Sequence, residues 1–376
     1  MLIDFNKIEE KMGSEKIDVL LVSSPENLFY ISGYRALEPS ITLAFTILIK
    51  GLDPILLTPI SEIGSILSTD CWIKDRRFYG QYYIENAPEQ KVVAKGTVEA
   101  IDKILKEEGL SRGIVGIEES NISQFLYKHL RKALPQAEFK DADGLLYNLR
   151  IIKSSEEVNR IRKAVKVSEK ALLKAFEVAG EGADELDVSE ALKKTLISEG
   201  AEWTFVEMAS GFRSGIPNEQ PSSYIMKRGD VIRIDFGTKL NGYCSDISRN
   251  AVIKEAFERH RKIHEALFKG EKAAIETVKP GKKLSDIFKI GQKTIRREGL
   301  QRFTRYNLGH GIGLSTHEPP IISPENDQIV REGMVFTIEV PYYIYNFGGF
   351  NIEDVLLATN GGCELLSTLG RELFIL

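Results

Sequence analysis

One histidine and four acidic residues in the C-terminal half stand in segments whose other residues are typical of buried strands. The histidine lies among glycines in N-L-G-H-G-I-G-L, and each acid interrupts a run of β-branched or aromatic residues. A charged carboxylate is costly to bury unless it is paired or bound to a metal ion. We therefore expect these side chains to converge on a metal site: Asp235, Asp246, His310, Glu339 and Glu353.

A set of oxygen and nitrogen ligands favours Mn²⁺, Co²⁺, Fe²⁺ or Zn²⁺ over metals that prefer thiolates. Four carboxylates carry too much negative charge for one catalytic ion, but they suit two ions that share carboxylates. Such ions sit about 3.5–4 Å apart and lower the pKa of a bridging water towards roughly 7. The set therefore predicts a hydroxide nucleophile that attacks a carbonyl or a similar electrophile at neutral pH.

Other side chains are weaker candidates. His317 follows His310 by seven residues and is expected to be a metal ligand, a substrate hydrogen-bond donor or a proton shuttle, the alternative being a plain loop histidine. Cys244 could be a soft ligand, although a reduced core thiol is favoured. His260 and His264 have the spacing of a zinc pair, but H-R-K-I-H lacks the glutamate of H-E-x-x-H. The basic residues around them predict a solvated helix face.

The bulk properties exclude several classes of function. The 376 residues carry a net charge of −4, which gives no general attraction to nucleic acid or anionic membranes. Ile41–Ile49 is the longest apolar run and is too short to span a bilayer, and the N-terminus shows no signal peptide. The three cysteines are scattered, as is typical of reduced thiols. We expect a cytoplasmic protein.

The elements that position the candidate residues are expected to form two domains. Residues 1–145 alternate strand-like and helix-like segments, which predicts an α/β domain with a covered sheet. This domain has no phosphate loop and no cluster of titratable residues, so it is expected to be a scaffold, a partner surface or a lid. The boundary is expected near Gly144–Lys153, and residues 152–376 form the second domain.

The second domain begins with a capping box at Ser154 that predicts a long helix. Asn241-Gly242 predicts a tight hairpin turn before the strand Tyr243–Ser248, and such a hairpin can bring Asp235 and Asp246 side by side. Two helices followed by strands occur twice along the domain. This order suggests an internal duplication, with the metal site at a pseudo-twofold seam.

Residues 152–376 resemble the catalytic domain of metallopeptidase family M24, which holds Xaa-Pro dipeptidase (prolidase), aminopeptidase P and methionine aminopeptidase. The matching pieces are R-I-D-F-G, G-Y-C-S-D-I-S-R, G-H-G-I-G-L-S-T-H-E-P-P, F-T-I-E-V-P-Y-Y and I-E-D-V. The stretch D-V-L-L-V-S-S-P-E-N-L-F-Y-I-S-G-Y resembles the start of the creatinase/prolidase N-terminal domain. The resemblance implies an α/β creatinase-like domain followed by an α+β, pseudo-symmetric pita-bread catalytic domain.

The resemblance also implies roles for the five ligands. Asp235 would bind one metal ion, and Asp246 with Glu353 would bridge both ions. His310 and Glu339 would hold the second ion, with Glu339 also the candidate general base. All five are present, unlike in creatinase, which shares the fold without the metal set.

The implied activity is hydrolysis of the bond between an N-terminal residue and proline in dipeptides or short peptides, using two divalent ions (Mn, Co, Zn or Fe). His317 matches the family's second histidine, which contacts the substrate or stabilises the tetrahedral intermediate. Members of this family are commonly homodimers in which an N-terminal domain reaches the partner's active site, so a homodimer is expected.

Two positions depart from the family pattern near the substrate. Asn218 stands where peptidases of this branch usually carry a histidine, and Asn351 stands where they usually carry an arginine. Asparagine still donates a hydrogen bond, so both are candidate substrate contacts, but it carries no charge. These departures favour, as an alternative, a hydrolase or lyase of the same fold acting on a non-peptide small molecule. A catalytically silent binding module is a third possibility, which the intact ligand set disfavours.

Overall fold

The computed structural model describes residues 4–36, 38, 42–81, 84–86 and 90–376. The chain divides into two compact units, Met1–Arg150 and Ile151–Leu376. The segment Gly144–Lys153, where the sequence suggested a boundary, contains most of the helix Asp143–Arg150. The polar D-A-D-G stretch therefore leads into a helix, whose basic last residue is favourable at a helix C-terminus.

The first unit is an α/β domain built on one mixed sheet. Its strands lie in the order β5-β4-β3-β2-β1-β6-β7, and β2 runs antiparallel to both neighbours while the other neighbouring pairs are parallel. The strands are Val19–Val22 (β1), Phe45–Ile49 (β2), Ile55–Pro59 (β3), Asp75–Tyr79 (β4), Val92–Ala94 (β5), Ile114–Ile117 (β6) and Glu138–Asp141 (β7). The helices are Phe5–Glu15 (α1), Pro25–Ser32 (α2), Ile63–Ser68 (α3), Thr97–Glu107 (α4), Gln124–Ala133 (α5) and Asp143–Arg150 (α6), with a 3₁₀ turn at Ile60–Glu62.

Hydrophobic clusters cover both faces of this sheet. Ile55 and Leu57 of β3 pack in the cluster that contains α4 and α5, whereas Leu56 packs in the cluster that contains α3. Successive strand residues point to opposite faces, so one strand contributes to both clusters. The predicted covered sheet is therefore confirmed.

The second unit consists of a ten-stranded sheet and two pairs of helices. The helices are Ser155–Val178 (α7), Glu185–Ser198 (α8), Glu258–Thr277 (α9) and Leu284–Arg297 (α10), and α7 packs on α8 as α9 packs on α10. The first strands are Trp203–Ser210 (β8), Val231–Leu240 (β9), Tyr243–Cys244 (β10) and Ile247–Val252 (β11), with a 3₁₀ turn at Gly211–Gly215. The later strands are His310–Gly311 (β12), Glu318–Ile321 (β13), Val335–Glu339 (β14), Tyr342–Ile344 (β15), Gly348–Phe350 (β16), Glu353–Thr359 (β17), Gly362–Leu365 (β18) and Phe374–Ile375 (β19).

The order of these elements repeats, as the sequence suggested. The path β10-β9-β11-β17-β14-β12-β13 joins strands of the first repeat to strands of the second where β11 pairs with β17. The edge strand β8 pairs with β9, and β15 with β16 forms a separate hairpin. The predicted capping box is confirmed, because Ser154 and Glu157 bond each other's backbone at the start of α7.

The predicted hairpin at Asn241-Gly242 is also present. Both residues have positive φ, 50° and 82°, as a two-residue turn of this kind requires. The expected strand Tyr243–Ser248 is interrupted between β10 and β11, but its register does not change: Cys244 faces Lys239 before the break, and Ile247 faces Phe236 after it. In the described part of the chain, no helix is both long enough and apolar enough to cross a bilayer.

Candidate metal centre

Four acids lie in one row across five strands of the second sheet. Glu207 of β8 is opposite Asp235 of β9, which is opposite Ser248 of β11. Ser248 is in turn opposite Glu353 of β17, and Glu353 is opposite Glu339 of β14. Residues that are directly opposite in antiparallel strands point to the same face of the sheet. The row therefore gathers these carboxylates on one face.

Asp246 joins this face from the segment between β10 and β11. The unchanged register makes it a diagonal neighbour of Asp235 across the hairpin, on the same side of the sheet. Its side chain is almost fully buried, as is that of Glu353. Asp235 and Glu339 keep part of their surface exposed, so the cluster is open to solvent on one side.

Glycines bring His310 up to the acids. Gly309 has φ 144°, and a Cβ there would lie 2.0 Å from the carbonyl oxygen of Thr337, so a side chain cannot be accommodated. His310 Nε2 lies 3.8 Å from Asp246 Oδ2 and 3.7 Å from Glu353 Oε1. The close backbone approach predicted for this motif is confirmed.

The donor atoms fit divalent ions. Asp235, Asp246 and Glu353 each offer an atom, and these atoms lie within 4.8 Å of one another. Asp246 also belongs to a second such group with His310 and His317. Asp246 Oδ1 and Glu353 Oε1 are buried without a hydrogen-bond partner, which is costly unless a cation completes their surroundings. Glu339 is in neither group, although it lies opposite Glu353.

Burial and mutual repulsion change the acidity of these groups. Burial, followed by the charges of neighbouring acids, raises the pKa of Asp246 and of Glu353 well above the ordinary value. The same causes raise the pKa of Glu339 to about 7, and burial raises the pKa of Asp235 although Arg233 opposes the shift. Two divalent cations would reverse this balance, because the ionised carboxylates would then be the favoured form.

The histidine has the protonation state of a metal ligand. Burial, aided by the charge of His317, lowers the pKa of His310 to about 3, so the ring is neutral at pH 7. Its Nδ1 lies 3.1 Å from the carbonyl oxygen of Gly311, which favours a hydrogen on Nδ1 and a lone pair on Nε2. That lone pair faces the two carboxylate oxygens, and three acceptors around one space are suited to a cation.

Comparison with known proteins decides the family. Residues 159–360 match metallopeptidase family M24, and residues 5–152 match the creatinase/prolidase N-terminal domain. An Xaa-Pro dipeptidase of Pyrococcus horikoshii is 33% identical over 370 residues, which cover 98% of this chain and 97% of that protein. This chain belongs to metallopeptidase family M24.

Solved structures of other members agree with this assignment. The X-Pro aminopeptidase from Thermotoga maritima has a TM-score of 0.84 at 28% identity, covering 98% of this chain and 100% of that chain. The prolidase from Pyrococcus horikoshii has a TM-score of 0.83 at 31% identity, covering 98% and 99%. The predicted two-domain fold class is confirmed, and the protein is a metal-dependent peptidase that acts on peptides.

The remaining predicted residues of this metallopeptidase have different surroundings. The exposed His317 ring stacks on the His310 ring, with centroids 3.8 Å apart. Asn218 lies in an exposed loop with φ 57°, and no hydrogen bond or ion pair joins it to the acids within the described residues. Asn351 has no exposed surface and bonds to Asp235, which favours a supporting position over substrate contact. Cys244 is buried with its Sγ 3.5 Å from the carbonyl oxygen of Leu314.

Several neighbours of the metallopeptidase centre were missed from the sequence. Arg233 is fully buried, and its Nη1 lies 3.7 Å from Glu207 Oε2. Asn307 Nδ2 donates to Glu339 Oε1 across 3.5 Å. Glu207 interrupts the strand-like run W-T-F-V-E-M, the same pattern that identified the four ligands, so it could have been found. Asn307 is the first residue of N-L-G-H-G-I-G-L, but its hydrogen bond to Glu339 depends on the fold and could not be predicted from this motif.

The solvated face predicted around His260 and His264 is wrong. Both side chains are buried on α9, with 4% and 6% exposed. His260 is surrounded by the rings of Phe257, Phe347 and Phe350, so a face that looks basic in sequence is covered by residues from elsewhere in the chain. Neither histidine belongs to a potential metal group within the described residues.

Proposed function

We propose that this metallopeptidase uses two divalent ions to hydrolyse the bond between an N-terminal residue and proline in dipeptides or short peptides. The observation that carries the proposal is that Asp246 belongs to two groups of potential ligands at once. Relatives named for Xaa-Pro dipeptidase and X-Pro aminopeptidase activity, aligned along almost the whole chain, support the substrate class.

The proposed ligand set divides the acids between the two ions. Asp235 would hold the first ion, His310 and Glu339 would hold the second, and Asp246 and Glu353 would contribute to both sites. The oxygen and nitrogen donors are compatible with Mn²⁺, Co²⁺, Zn²⁺ or Fe²⁺. Two such ions supply a water-derived nucleophile at neutral pH and polarise the substrate carbonyl.

Glu339 is the proposed general base. Bound cations favour the ionised form of this carboxylate, and the ionised form can accept a proton from a water held beside it. Asn307 occupies one carboxylate oxygen, Oε1, which leaves the other to accept the proton. Glu339 keeps part of its surface exposed, so a substrate can approach this residue.

His317 and Asn218 are the proposed substrate contacts. His317 keeps exposed surface, but the partial loss of water around its ring lowers its pKa, so the ring is neutral at pH 7 and donates one hydrogen. Its Nδ1 lies 3.4 Å from Thr316 Oγ1, which leaves Nε2 to face the substrate carbonyl. A donor at this place stabilises the charge that develops in the transition state. The homodimer and the cytoplasmic location expected from the sequence stay predictions.

The test is hydrolysis of a panel of Xaa-Pro dipeptides and Xaa-Pro-Xaa tripeptides by metal-free, Mn²⁺-loaded, Co²⁺-loaded and Zn²⁺-loaded protein. Asp246→Ala removes the shared ligand, and Asp53→Ala, in an exposed turn of the first unit, is the matched control. We expect metal-dependent release of proline or of a Pro-Xaa dipeptide by the parent and the control, and none by Asp246→Ala.

Two results would contradict the proposal. Uptake of two equivalents of metal without turnover of any proline peptide would favour a non-peptide substrate for the same centre. Turnover at full rate with one equivalent of metal would exclude the two-ion arrangement.

A further inference from the structure

Asn351 lies at the meeting point of the segments that carry the four proposed acidic ligands. Its Nδ2 donates to Asp235 Oδ2 at 2.9 Å, and its Oδ1 accepts from the backbone N–H of Val340 at 3.2 Å. Val340 directly follows Glu339, and Asn351 precedes Glu353 by two residues. The side-chain amide therefore uses both its ends within the protein.

A second buried asparagine holds Asn351 itself. Asn250 Oδ1 accepts from the backbone N–H of Asn351 at 2.9 Å, and Asn250 Nδ2 donates to the carbonyl oxygen of Asn351 at 2.7 Å. Asn250 lies on β11, four residues after Asp246. Both asparagines are fully buried, so water does not compete for these bonds.

We propose that Asn351, held by Asn250, is a positioning residue that fixes the Asp235 carboxylate in the orientation in which it binds its metal ion. The inference rests on the proposed function, because it takes Asp235 as a ligand. A hydrogen bond to one carboxylate oxygen sets the rotation of the group and leaves the other oxygen free to coordinate. The two amides together join the segments that bear Asp235, Asp246, Glu339 and Glu353.

The neutral amide has an electrostatic consequence. An arginine at this position would place a positive charge beside Asp235 and weaken the attraction between the acids and a divalent cation. Asparagine donates the same kind of hydrogen bond without that charge. The side chain at position 351 therefore adds no positive charge that would oppose the metal ions, and the group that orients Asp235 does not titrate.

The experiment measures Mn²⁺ affinity by calorimetry for the parent, Asn351→Asp and Asn351→Ala, together with kcat and KM at saturating Mn²⁺. Asn351→Asp retains an acceptor for Val340 but loses the amide donor, and Asn351→Ala removes the donor without adding charge. Asn360→Asp and Asn360→Ala, in the exposed turn after β17, are the matched controls. The visible absorption of Co²⁺-loaded protein reports the ligand geometry independently of turnover.

We expect Asn351→Ala to bind Mn²⁺ about 10–100-fold more weakly, the loss typical when a residue that orients a metal ligand is removed. Asn351→Asp should lose less affinity, because its added negative charge attracts the cation. The Co²⁺ spectrum should change, and kcat should fall while KM stays the same, because the substrate is not contacted. The Asn360 controls should match the parent. Should the Asn351 variants unfold, Asn250→Ala leaves the Asn351 amide in place, and a weaker Mn²⁺ affinity is expected there too.

Parent affinity for Mn²⁺ in the folded variants would overturn the inference while leaving the proposed function intact. An increase in KM with unchanged affinity would also overturn it, and would restore Asn351 as a substrate contact. A parent protein that takes up no metal ion would overturn the proposed function, and the inference with it.

Discussion

Glu353 and Asp354 are neighbours on β17, and both are almost fully buried, yet they have opposite electrostatic surroundings. Successive residues of a strand point to opposite faces of the sheet, so each carboxylate belongs to a different cluster. Glu353 lies among the acids of the candidate metal centre, and Asp354 lies among arginines. One strand thus buries negative charge in two ways, with other acids around Glu353 and with arginines around Asp354.

On the Asp354 face the chain supplies its own cations. Arg249 Nη2 lies 2.6 Å from Asp354 Oδ1, and Arg371 lies between Asp354 and Glu271, 3.5 Å and 3.3 Å away. Arg249 also donates to the carbonyl oxygens of Ser248, Glu353, Leu369 and Gly370. Two arginines therefore balance two acids, and the pairs are fixed by many hydrogen bonds.

On the Glu353 face the chain supplies almost no cationic side chains. Within the described residues, no lysine or arginine nitrogen lies within 4 Å of the carboxylates of Asp235, Asp246, Glu339 or Glu353. Such a concentration of buried negative charge is unfavourable without a cation. The comparison indicates that arginines balance the acids on one face of β17, whereas the acids on the other face are suited to bound metal.

The test with the largest expected effect replaces each of the adjacent acids Glu353 and Asp354 by its amide. We expect Glu353→Gln to weaken metal binding by more than about 100-fold, because it removes a proposed ligand rather than a residue behind one. Its metal-free form should be more stable than the metal-free parent at pH 8. Asp354→Asn should lower the free energy of unfolding by roughly 3–5 kcal/mol with or without metal, because it removes the buried carboxylate that pairs with Arg249 and contacts Arg371.

Calorimetric metal titrations and urea unfolding of both variants measure these effects. Each variant is the control for the other, since both make the same chemical change at adjacent residues. Equal loss of metal affinity in the two variants would contradict the division into two faces. So would a metal-free Glu353→Gln protein that is less stable than the metal-free parent.

The sequence singled out acids that the fold gathers beside His310, because the signal for each of them is local. An acid inside an apolar strand is unusual wherever it occurs, and a glycine on each side of His310 indicates a close backbone approach. The row from Asp235 through Ser248 and Glu353 to Glu339 depends on strand register, which the sequence of each strand does not give.

The residues that form hydrogen bonds with the proposed ligands were harder to predict. Asn351 was expected to contact substrate from the resemblance to the family pattern, which has arginine there, but its partners lie on β9, on β11 and directly after β14. Contacts of that kind join strands that are far apart in sequence, so the sequence of one strand does not show them. The buried His264 was mispredicted for the same reason: the residues that cover this face of α9 come from elsewhere in the chain.

Without bound metal, the protein should lose stability as the pH rises. Glu339 has a pKa of about 7 in the folded chain, above the ordinary value of 4.5, and Asp246 and Glu353 are also raised. Stability from these protonated groups is present below about pH 4 and is lost as the pH rises through 7, by at most about 1.4 kcal/mol per pH unit for each group. Metal-loaded protein should lack this loss.

Thermal unfolding between pH 5 and pH 8 compares the two forms. Glu271, whose pKa burial and Asp354 raise, contributes equally to both and cancels in the difference. Parallel pH profiles for metal-free and metal-loaded protein would show that the acids of the Glu353 face do not govern the effect.

His264, whose pKa is affected by Arg249, should make the protein lose stability as the pH falls. Burial, followed by the charge of Arg249, lowers the pKa of His264 to about 4 from an ordinary 6.5. Its contribution to stability is therefore present above pH 6.5 and is lost as the pH falls towards 4, because the unfolded chain takes up the proton first. His264→Gln cannot be protonated, so its free energy of unfolding should fall less steeply over this interval, by up to about 1.4 kcal/mol per pH unit. His129→Gln, on the exposed side of α5, is the matched control and should leave the slope unchanged. An unchanged slope in His264→Gln would mean that the acid sensitivity of the protein arises elsewhere.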